Sequence, residues 1–172
     1  MAVVLLLGGA RSGKSDLATR LAAESGAPVT LIATAEARDA EMAERIRVHR
    51  EARPAAWRTI EAPLDLLSAV RSAARGDFLV IDCLTLWVAN LLEQGAGETE
   101  IELAADQIVA ELETRQGVVV TNEVGLGIVP ANELARRFRD ALGAVNTRFA
   151  AGATRALLMV AGRAVELASS AS

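Results

Sequence analysis

Short runs of apolar, β-branched residues alternate along the chain with longer stretches in which apolar residues recur every three or four positions. The first pattern predicts buried strands and the second predicts amphipathic helices, and their alternation is typical of βαβ units around a parallel sheet. The predicted strands are Val3–Leu7, Val29–Ala33, Phe78–Asp82, Gly117–Thr121 and Ala156–Ala161, with further candidates at Trp57–Glu61 and after Gly162. Predicted helices begin near Lys14, Asp39, Leu64, Thr85, Glu98 and Ala131.

The last predicted helix has the most regular pattern. Pro130 suits a first helical position and Gly152 suits the end of the helix. One apolar stripe at 3.6-residue spacing is formed by Leu134, Phe138, Leu142, Val145 and Phe149. The stretch Glu93–Thr99, which contains two glycines, is predicted to be a loop.

Length and composition restrict the class of protein. A chain of 172 residues without repeats or a long linker predicts one α/β domain over residues 1–172, with a mostly parallel central sheet flanked by helices. The net charge of -4 argues against nucleic-acid binding, and no apolar run approaches the roughly 20 residues of a membrane span. Cys83 is the only cysteine, so no internal disulfide can form, and we expect a cytoplasmic protein.

A phosphate-binding loop is the strongest motif in the sequence. The residues Gly8-Gly9-Ala10-Arg11-Ser12-Gly13-Lys14-Ser15 fit G-x-x-x-x-G-K-[ST] directly after a predicted strand and before a predicted helix. Backbone amides of such a loop, and the start of the helix after it, bind phosphate oxygens. We therefore predict a P-loop NTPase-like domain in which Lys14, the only lysine, reaches the β and γ phosphates and the Ser15 hydroxyl binds Mg²⁺.

An acidic residue supports the same site. Asp82 ends the apolar strand Phe78–Asp82, where a second Mg²⁺ ligand of a P-loop enzyme is expected. Cys83, the next residue, is interpreted as a packed side chain rather than a reactive thiol.

The only histidine lies in an arginine-rich predicted helix that ends before Pro54. His49 shares one helix face with Glu41 and Arg45, and Arg50 and Arg53 follow it. A solvated helix face without a chemical role explains this pattern. The alternative is that the arginines hold phosphate oxygens while the imidazole forms a covalent phosphoramidate.

A polar pair follows the predicted strand Gly117–Thr121. Because ligands of open α/β sheets bind outside the carboxyl ends of the strands, Asn122 and Glu123 are candidates for an acceptor site. A polar turn that leads into the last long helix explains them equally well. The base of a kinase step is left open between Glu123 and Asp82.

Together these motifs resemble the bifunctional adenosylcobinamide kinase/adenosylcobinamide-phosphate guanylyltransferases of cobalamin biosynthesis. The resemblance covers GGARSGKS at Gly8–Ser15, IAT at Ile32–Thr34, EMAERIRVHREARPAAWRTIEAP at Glu41–Pro63 and TNEVGLGIVPANELARRFRDALGAVN at Thr121–Asn146. It implies phosphorylation of adenosylcobinamide by ATP or GTP, and then transfer of GMP from GTP to adenosylcobinamide phosphate. It also implies a homotrimer and a histidine that carries GMP covalently, a position that His49 matches.

The resemblance assigns residues as well. The implied nucleotide contacts are Gly8, Gly9, Ala10, Arg11, Ser12, Gly13, Lys14, Ser15, Ala33, Thr34, Ala35, Arg50, Glu51, Ala52, Arg53, Glu61 and Asp82. Two other functions remain open at this point. A plain small-molecule kinase would need no histidine, and a GTP-dependent switch would carry no covalent nucleotide, although the chain has no N-K-x-D guanine-reading string.

Overall fold

The computed structural model describes residues 2–37, 39–51 and 53–169, without the side chain of Arg45. Seven strands are formed by Val3–Gly8 (β1), Val29–Ala33 (β2), Arg58–Glu61 (β3), Phe78–Asp82 (β4), Gln116–Val120 (β5), Arg155–Val160 (β6) and Arg163–Leu167 (β7). Six helices are formed by Lys14–Glu24 (α1), Ala40–Glu51 (α2), Leu66–Ser72 (α3), Leu84–Glu93 (α4), Glu98–Leu112 (α5) and Glu133–Gly152 (α6). The predicted sequence of strands and helices is confirmed, with boundaries shifted by one or two residues.

All seven strands form one sheet in the order β3-β2-β4-β5-β1-β6-β7. Every neighbouring pair is parallel except β6 and β7, which form an antiparallel pair at one edge. The central strands are apolar throughout because helices cover both faces of a parallel sheet. This confirms the predicted α/β fold with a mostly parallel sheet.

The helices divide unequally between the two faces. One face packs against α1, in a core that includes Leu17, Leu31 and Val80. The other face packs against α3 to α6, where Trp87 and Leu142 are buried. Helix α2 contributes no buried residue among its described side chains. It therefore stands apart from both cores.

The start of α6 corrects one prediction. Pro130 does not occupy the first helical position, because the helix begins at Glu133 with Asn132 as its N-cap. The side-chain oxygen of Asn132 accepts a hydrogen bond from the Ala135 amide at 3.1 Å. Such a cap satisfies an amide that has no partner within the helix, which Pro130 cannot do from further upstream.

The apolar stripe of α6 is buried only in part. Leu142, Val145 and Phe149 are buried, whereas Leu134 is 54% exposed. The first turn of the helix therefore projects beyond the core. The predicted loop Glu93–Thr99 is also shorter than expected, since α4 extends to Glu93 and α5 begins at Glu98. Among the described residues, no helix is both long and apolar enough to cross a membrane.

Candidate active site

The phosphate loop connects β1 to α1, as the motif predicts. Gly13, directly before α1, has a backbone φ of 95°, which residues other than glycine rarely adopt. Gly8 has a φ of 151°, and a Cβ atom there would lie 2.5 Å from the Met159 carbonyl oxygen. These glycines allow the loop to turn tightly against β6 and leave its amides free of side-chain cover.

Lys14 is buried at the start of α1 and folds back over its own loop. Its ammonium group donates to the carbonyl oxygens of Gly8 at 2.9 Å and Gly9 at 2.6 Å, and to the Ser12 hydroxyl at 3.3 Å. Burial lowers the pKa of Lys14, and the nearby Cys83 and Asp82 partly oppose that shift. A cation held by three oxygens can exchange them for phosphate oxygens when nucleotide binds.

A cavity of about 400 Å³ brings the candidate chemical groups together. Its floor is the α1 face of the sheet, formed by Leu31, Val80 and Val120 of β2, β4 and β5. Its remaining lining residues are Ser15, Asp16, Ala18, Thr19, Val48, His49, Arg53, Trp57 and Asp82. The end of α2 therefore places the only histidine across the same cavity from both candidate Mg²⁺ ligands, Ser15 and Asp82.

The charged groups in this cavity shift each other's pKa values. Burial raises the pKa of the Asp82 carboxyl, and the nearby His49, Arg53 and Lys14 act in the opposite direction. Burial also lowers the pKa of Arg53, although Asp82 favours its charged form. A carboxylate and cationic side chains in one cavity offer oxygen to a metal ion and positive charge to phosphate oxygens.

Two further cavities border α2. One of about 480 Å³ is lined by Arg50, Arg53, Pro54, Ala55, Trp57, Thr59 and Glu61. The other, of about 590 Å³, is lined by Ala35, Glu36, Ala37, Ala43, Ile46, Arg47, Arg50, Glu51, Glu61 and Pro63. Several of the predicted nucleotide contacts, among them Ala35, Arg50 and Glu61, thus line cavities beside α2.

Some of these contacts already have partners within the chain. Arg50 forms an ion pair with Glu61, which links the end of α2 to β3. Glu51 pairs with Arg47 at 2.6 Å. Both pairs are largely exposed, so exchange for a phosphate or ribose partner would cost little. Ala52, another predicted contact, lies outside the described residues.

Two predicted contacts lie beneath the site surface. Ala33 is buried, and the side chain of Thr34 is fully buried. The Thr34 hydroxyl donates to the Cys83 carbonyl at 2.7 Å and accepts from the Cys83 amide at 2.9 Å. Thr34 therefore supports the strand end that carries Asp82.

The candidate acceptor pair lies next to the phosphate loop. The Glu123 amide donates to the Gly8 carbonyl at 3.3 Å, which joins this segment directly to the loop. The Asn122 amide donates to the Thr85 hydroxyl at 2.9 Å, and its carbonyl accepts from the Asn146 amide group at 3.0 Å. Neither Asn122 nor Glu123 lines the three cavities described above.

Trp57 is a site residue that the sequence pattern assigned only to a strand. It precedes β3 and lines the first two cavities. An indole ring presents an apolar plane on which a purine base can stack. The available signal was an aromatic residue in a chain with few of them, placed four residues after Arg53 at the end of the arginine-rich segment.

The lone cysteine is expected to react slowly. Burial raises the pKa of Cys83 to about 11. At pH 8 only about one such thiol in a thousand is ionised, and the thiolate is the reactive form. We expect alkylation by iodoacetamide to be on the order of 100-fold slower in the native protein than in denaturant. Equal rates in a time course followed by mass spectrometry would refute the packed, neutral thiol.

The first strand, the glycine loop, the buried lysine and the acidic strand end of β4 together define a P-loop nucleotide-binding protein of the NTPase type. The comparison with protein families then specifies the class further. The model of the family "Cobinamide kinase / cobinamide phosphate guanyltransferase" matches residues 4–167. The chain belongs to this family.

Two relatives of high sequence identity support the same family membership. The chain is 50% identical over 164 residues to the bifunctional adenosylcobalamin biosynthesis protein CobP of Pseudomonas aeruginosa, which covers 92% of each chain. It is 42% identical over 180 residues to the bifunctional adenosylcobalamin biosynthesis protein CobU of Salmonella typhimurium, with 96% of this chain and 99% of that relative covered.

Solved structures of distant sequence share the fold. The flagellar accessory protein FlaH of Methanocaldococcus jannaschii matches 95% of this chain and 74% of its own at a TM-score of 0.52 and 16% identity. A protein from Pyrococcus horikoshii matches 96% of this chain and 85% of its own at a TM-score of 0.57 and 11% identity. At these identities the likeness concerns the fold alone.

Proposed function

We propose that this protein phosphorylates adenosylcobinamide with ATP or GTP and then transfers GMP from GTP to adenosylcobinamide phosphate through a guanylyl-histidine at His49. The observation that carries the proposal is the cavity of about 400 Å³ in which His49, Arg53, Ser15 and Asp82 meet. Family membership supplies the two reactions. The reducing cytoplasm, where nucleotides are available, is the compartment that we propose.

In the kinase step, the hydroxyl of the cobinamide side chain attacks the γ-phosphorus and gives its proton to a carboxylate, for which Glu123 and Asp82 are the candidates. The bond from the γ-phosphorus to the β-phosphate oxygen breaks, and the nucleoside diphosphate leaves. Lys14, released from the Gly8 and Gly9 carbonyls, neutralises charge on the β and γ phosphates. The amides of the glycine loop bind the same oxygens. Because little covalent chemistry falls to the protein here, positioning and charge stabilisation supply most of the catalysis.

In the guanylyl step, a ring nitrogen of His49 attacks the α-phosphorus of GTP. A phosphorus–nitrogen bond forms as the bond to the β-phosphate oxygen breaks, and pyrophosphate leaves with its charge stabilised by Arg53 and Lys14. A phosphate oxygen of adenosylcobinamide phosphate then displaces the imidazole, which yields adenosylcobinamide-GDP. Two in-line displacements retain the configuration at the α-phosphorus.

The residues present fit a magnesium ion. Ser15 and Asp82 line one cavity and offer a hydroxyl and a carboxylate oxygen, the donor type that Mg²⁺ prefers. Mg²⁺ commonly uses one or two protein ligands together with substrate phosphates and water, so two such residues suffice. When bound, the ion would neutralise developing charge on the departing phosphate oxygens.

Acceptor binding and assembly complete the proposal. We place the acceptor beside Asn122 and Glu123, because the Glu123 amide is hydrogen-bonded to the phosphate loop. We also propose a homotrimer, as the resemblance implies. The side chains of Leu126 and Ile128, which are 84% and 97% exposed, supply apolar surface that a contact between copies would cover.

Two GTP analogues separate the reactions. With α,β-methylene-GTP, whose α–β bridge cannot be cleaved, the protein should convert adenosylcobinamide to its phosphate only. With β,γ-imido-GTP it should convert the supplied phosphate to adenosylcobinamide-GDP but leave adenosylcobinamide unchanged. Product masses report both outcomes: the first reaction leaves α,β-methylene-GDP, and the second releases imidodiphosphate. Failure of either analogue, with the corresponding reaction running on GTP itself, would contradict two separate displacements at γ and α phosphorus.

A further inference from the structure

The segment that carries His49 is an arm attached to the sheet at two points. The chain leaves the sheet after β2 at Thr34, passes through α2, and returns along β3 to Pro63. None of the described side chains of α2 is buried. The position of His49 relative to Asp82 therefore depends on the pairing of β3 with β2 and on how the two ends of this arm, residues 34 and 63, are held.

One buried side chain contacts both ends of the arm. Asn90 of α4 is 4% exposed. Its side-chain amide group donates to the Thr34 carbonyl at 2.9 Å and to the Pro63 carbonyl at 2.9 Å. These two residues are 29 positions apart in the chain, and one amide group joins them to the same helix.

Thr34, where the arm leaves the sheet, is also hydrogen-bonded to the end of β4 that carries Asp82. The Thr34 hydroxyl bonds to both the amide and the carbonyl of Cys83, and the Thr34 amide donates to the Asp82 carbonyl at 3.0 Å. Asn90 thus holds the departure point of the arm at a residue that is itself fixed to Asp82. A buried, hydrogen-bonded network of this kind is rigid because any broken bond leaves an unsatisfied polar group.

We propose that Asn90 is a positioning residue for guanylyl transfer, which clamps both ends of the arm and so sets His49 in line with the α-phosphorus. Asn90 itself lines none of the three cavities and acts through Thr34 and Pro63. The proposal rests on the proposed guanylyl-histidine for its chemical consequence. That Asn90 holds both ends of the arm does not depend on whether His49 carries GMP.

The variant Asn90→Asp tests the clamp with little change in side-chain volume. A carboxylate cannot donate to the two carbonyls, so both ends of the arm lose their bond to α4, while Thr34 keeps its bonds to Asp82 and Cys83. We expect single-turnover labelling of His49 by α-labelled GTP to slow by about 10- to 100-fold, the cost of a small misplacement of reacting groups. The kinase step with α,β-methylene-GTP should stay within about threefold of wild type, since it needs no histidine.

The rate of trypsin cleavage measures directly how often the arm opens. Helix α2 carries the exposed arginines Arg47 and Arg50, which become cleavable when the arm opens. We expect native-state cleavage within residues 35–57 to be at least about tenfold faster in Asn90→Asp than in wild type. This measurement needs no nucleotide. If wild type itself acquires no label, the proposed function fails while the clamp is still tested.

A matched control comes from the other end of the same strand. Thr30 is fully buried in β2, and its hydroxyl donates to Asp77 at 2.6 Å. Thr30→Val should lower stability without changing the ratio of labelling to kinase rate or the cleavage within the arm. Asn90→Ser, which keeps one donor, should be intermediate and carries the test if the aspartate variant does not fold.

Equal losses of labelling and kinase activity in the Asn90 variants, with trypsin cleavage of the arm no faster than in Thr30→Val, would overturn the proposal. That result would make Asn90 a general stabilising residue.

Discussion

Replacing His49 with asparagine is expected to slow guanylyl transfer by at least about 10⁴-fold, because the variant has no nucleophile to form the covalent intermediate. Asparagine keeps a polar side chain on α2 but has no basic nitrogen that can attack phosphorus. The kinase step should remain within a few-fold of wild type. The measurement is exchange of labelled pyrophosphate into GTP without any acceptor, which only a covalent mechanism supports.

The control lies on the same helix. Glu44 is exposed and pairs with Arg47, so Glu44→Gln should exchange pyrophosphate at close to the wild-type rate. Kinase activity of both variants is followed with α,β-methylene-GTP. Wild-type exchange in His49→Asn would show that another group carries GMP or that no covalent step occurs. A loss of both activities in that variant would indicate that the imidazole is needed for the fold of the site.

Replacing Asp82 with asparagine is expected to lower both activities by about 10²- to 10³-fold while making the nucleotide-free protein more stable. The loss follows from removing a charged oxygen that would bind Mg²⁺ and organise the phosphates. The gain in stability follows from burial, which raises the pKa of Asp82 in the folded chain.

The sign of the pH effect follows from proton binding. Because the folded pKa of Asp82 lies above its ordinary value of 3.8, the folded state binds more protons than the unfolded state between these two pKa values. The carboxyl therefore costs stability as the pH rises through and beyond its ordinary value. Asp82→Asn should melt at a higher temperature than wild type at pH 7, and the difference should shrink towards pH 4.

Thermal denaturation without nucleotide, at several pH values, measures this difference. Mg²⁺ and GTP should then raise the melting temperature of wild type more than that of the variant, since only wild type gains a metal ligand. A less stable nucleotide-free variant at pH 7 would contradict the burial of an unfavourable charge. Unchanged activity would remove Asp82 from the site.

Most of the fold could be predicted because its signals are local. The apolar runs Val29–Ala33 and Phe78–Asp82 are strands with the predicted bounds, since a parallel sheet buries both faces of each strand. The predicted start of α6 was wrong, because the pattern favoured Pro130 as the first helical residue, whereas Asn132 supplies the side-chain cap. The exposure of Leu134 depends on where the core ends, which periodicity does not show.

Candidate site residues could be named from the sequence, but their arrangement in space could not. The glycine loop is contiguous, so spacing identified it. The approach of His49 to Asp82 and the Asn90 contacts join residues far apart in the chain, and only the folded sheet brings them together. The ion pair between Arg50 and Glu61 is of the same kind, because its two members belong to different elements.

The central claim is that His49 carries GMP, and one labelling experiment tests it most directly. Purified protein is incubated with Mg²⁺ and GTP labelled at the α-phosphorus, beside a sample with γ-labelled GTP and beside His49→Asn, and then separated on a denaturing gel. The predicted result is acid-labile, alkali-stable label from the α-position only, present in wild type, absent from the variant and released on addition of adenosylcobinamide phosphate. Absence of label in wild type that demonstrably binds GTP and completes guanylyl transfer would contradict the claim.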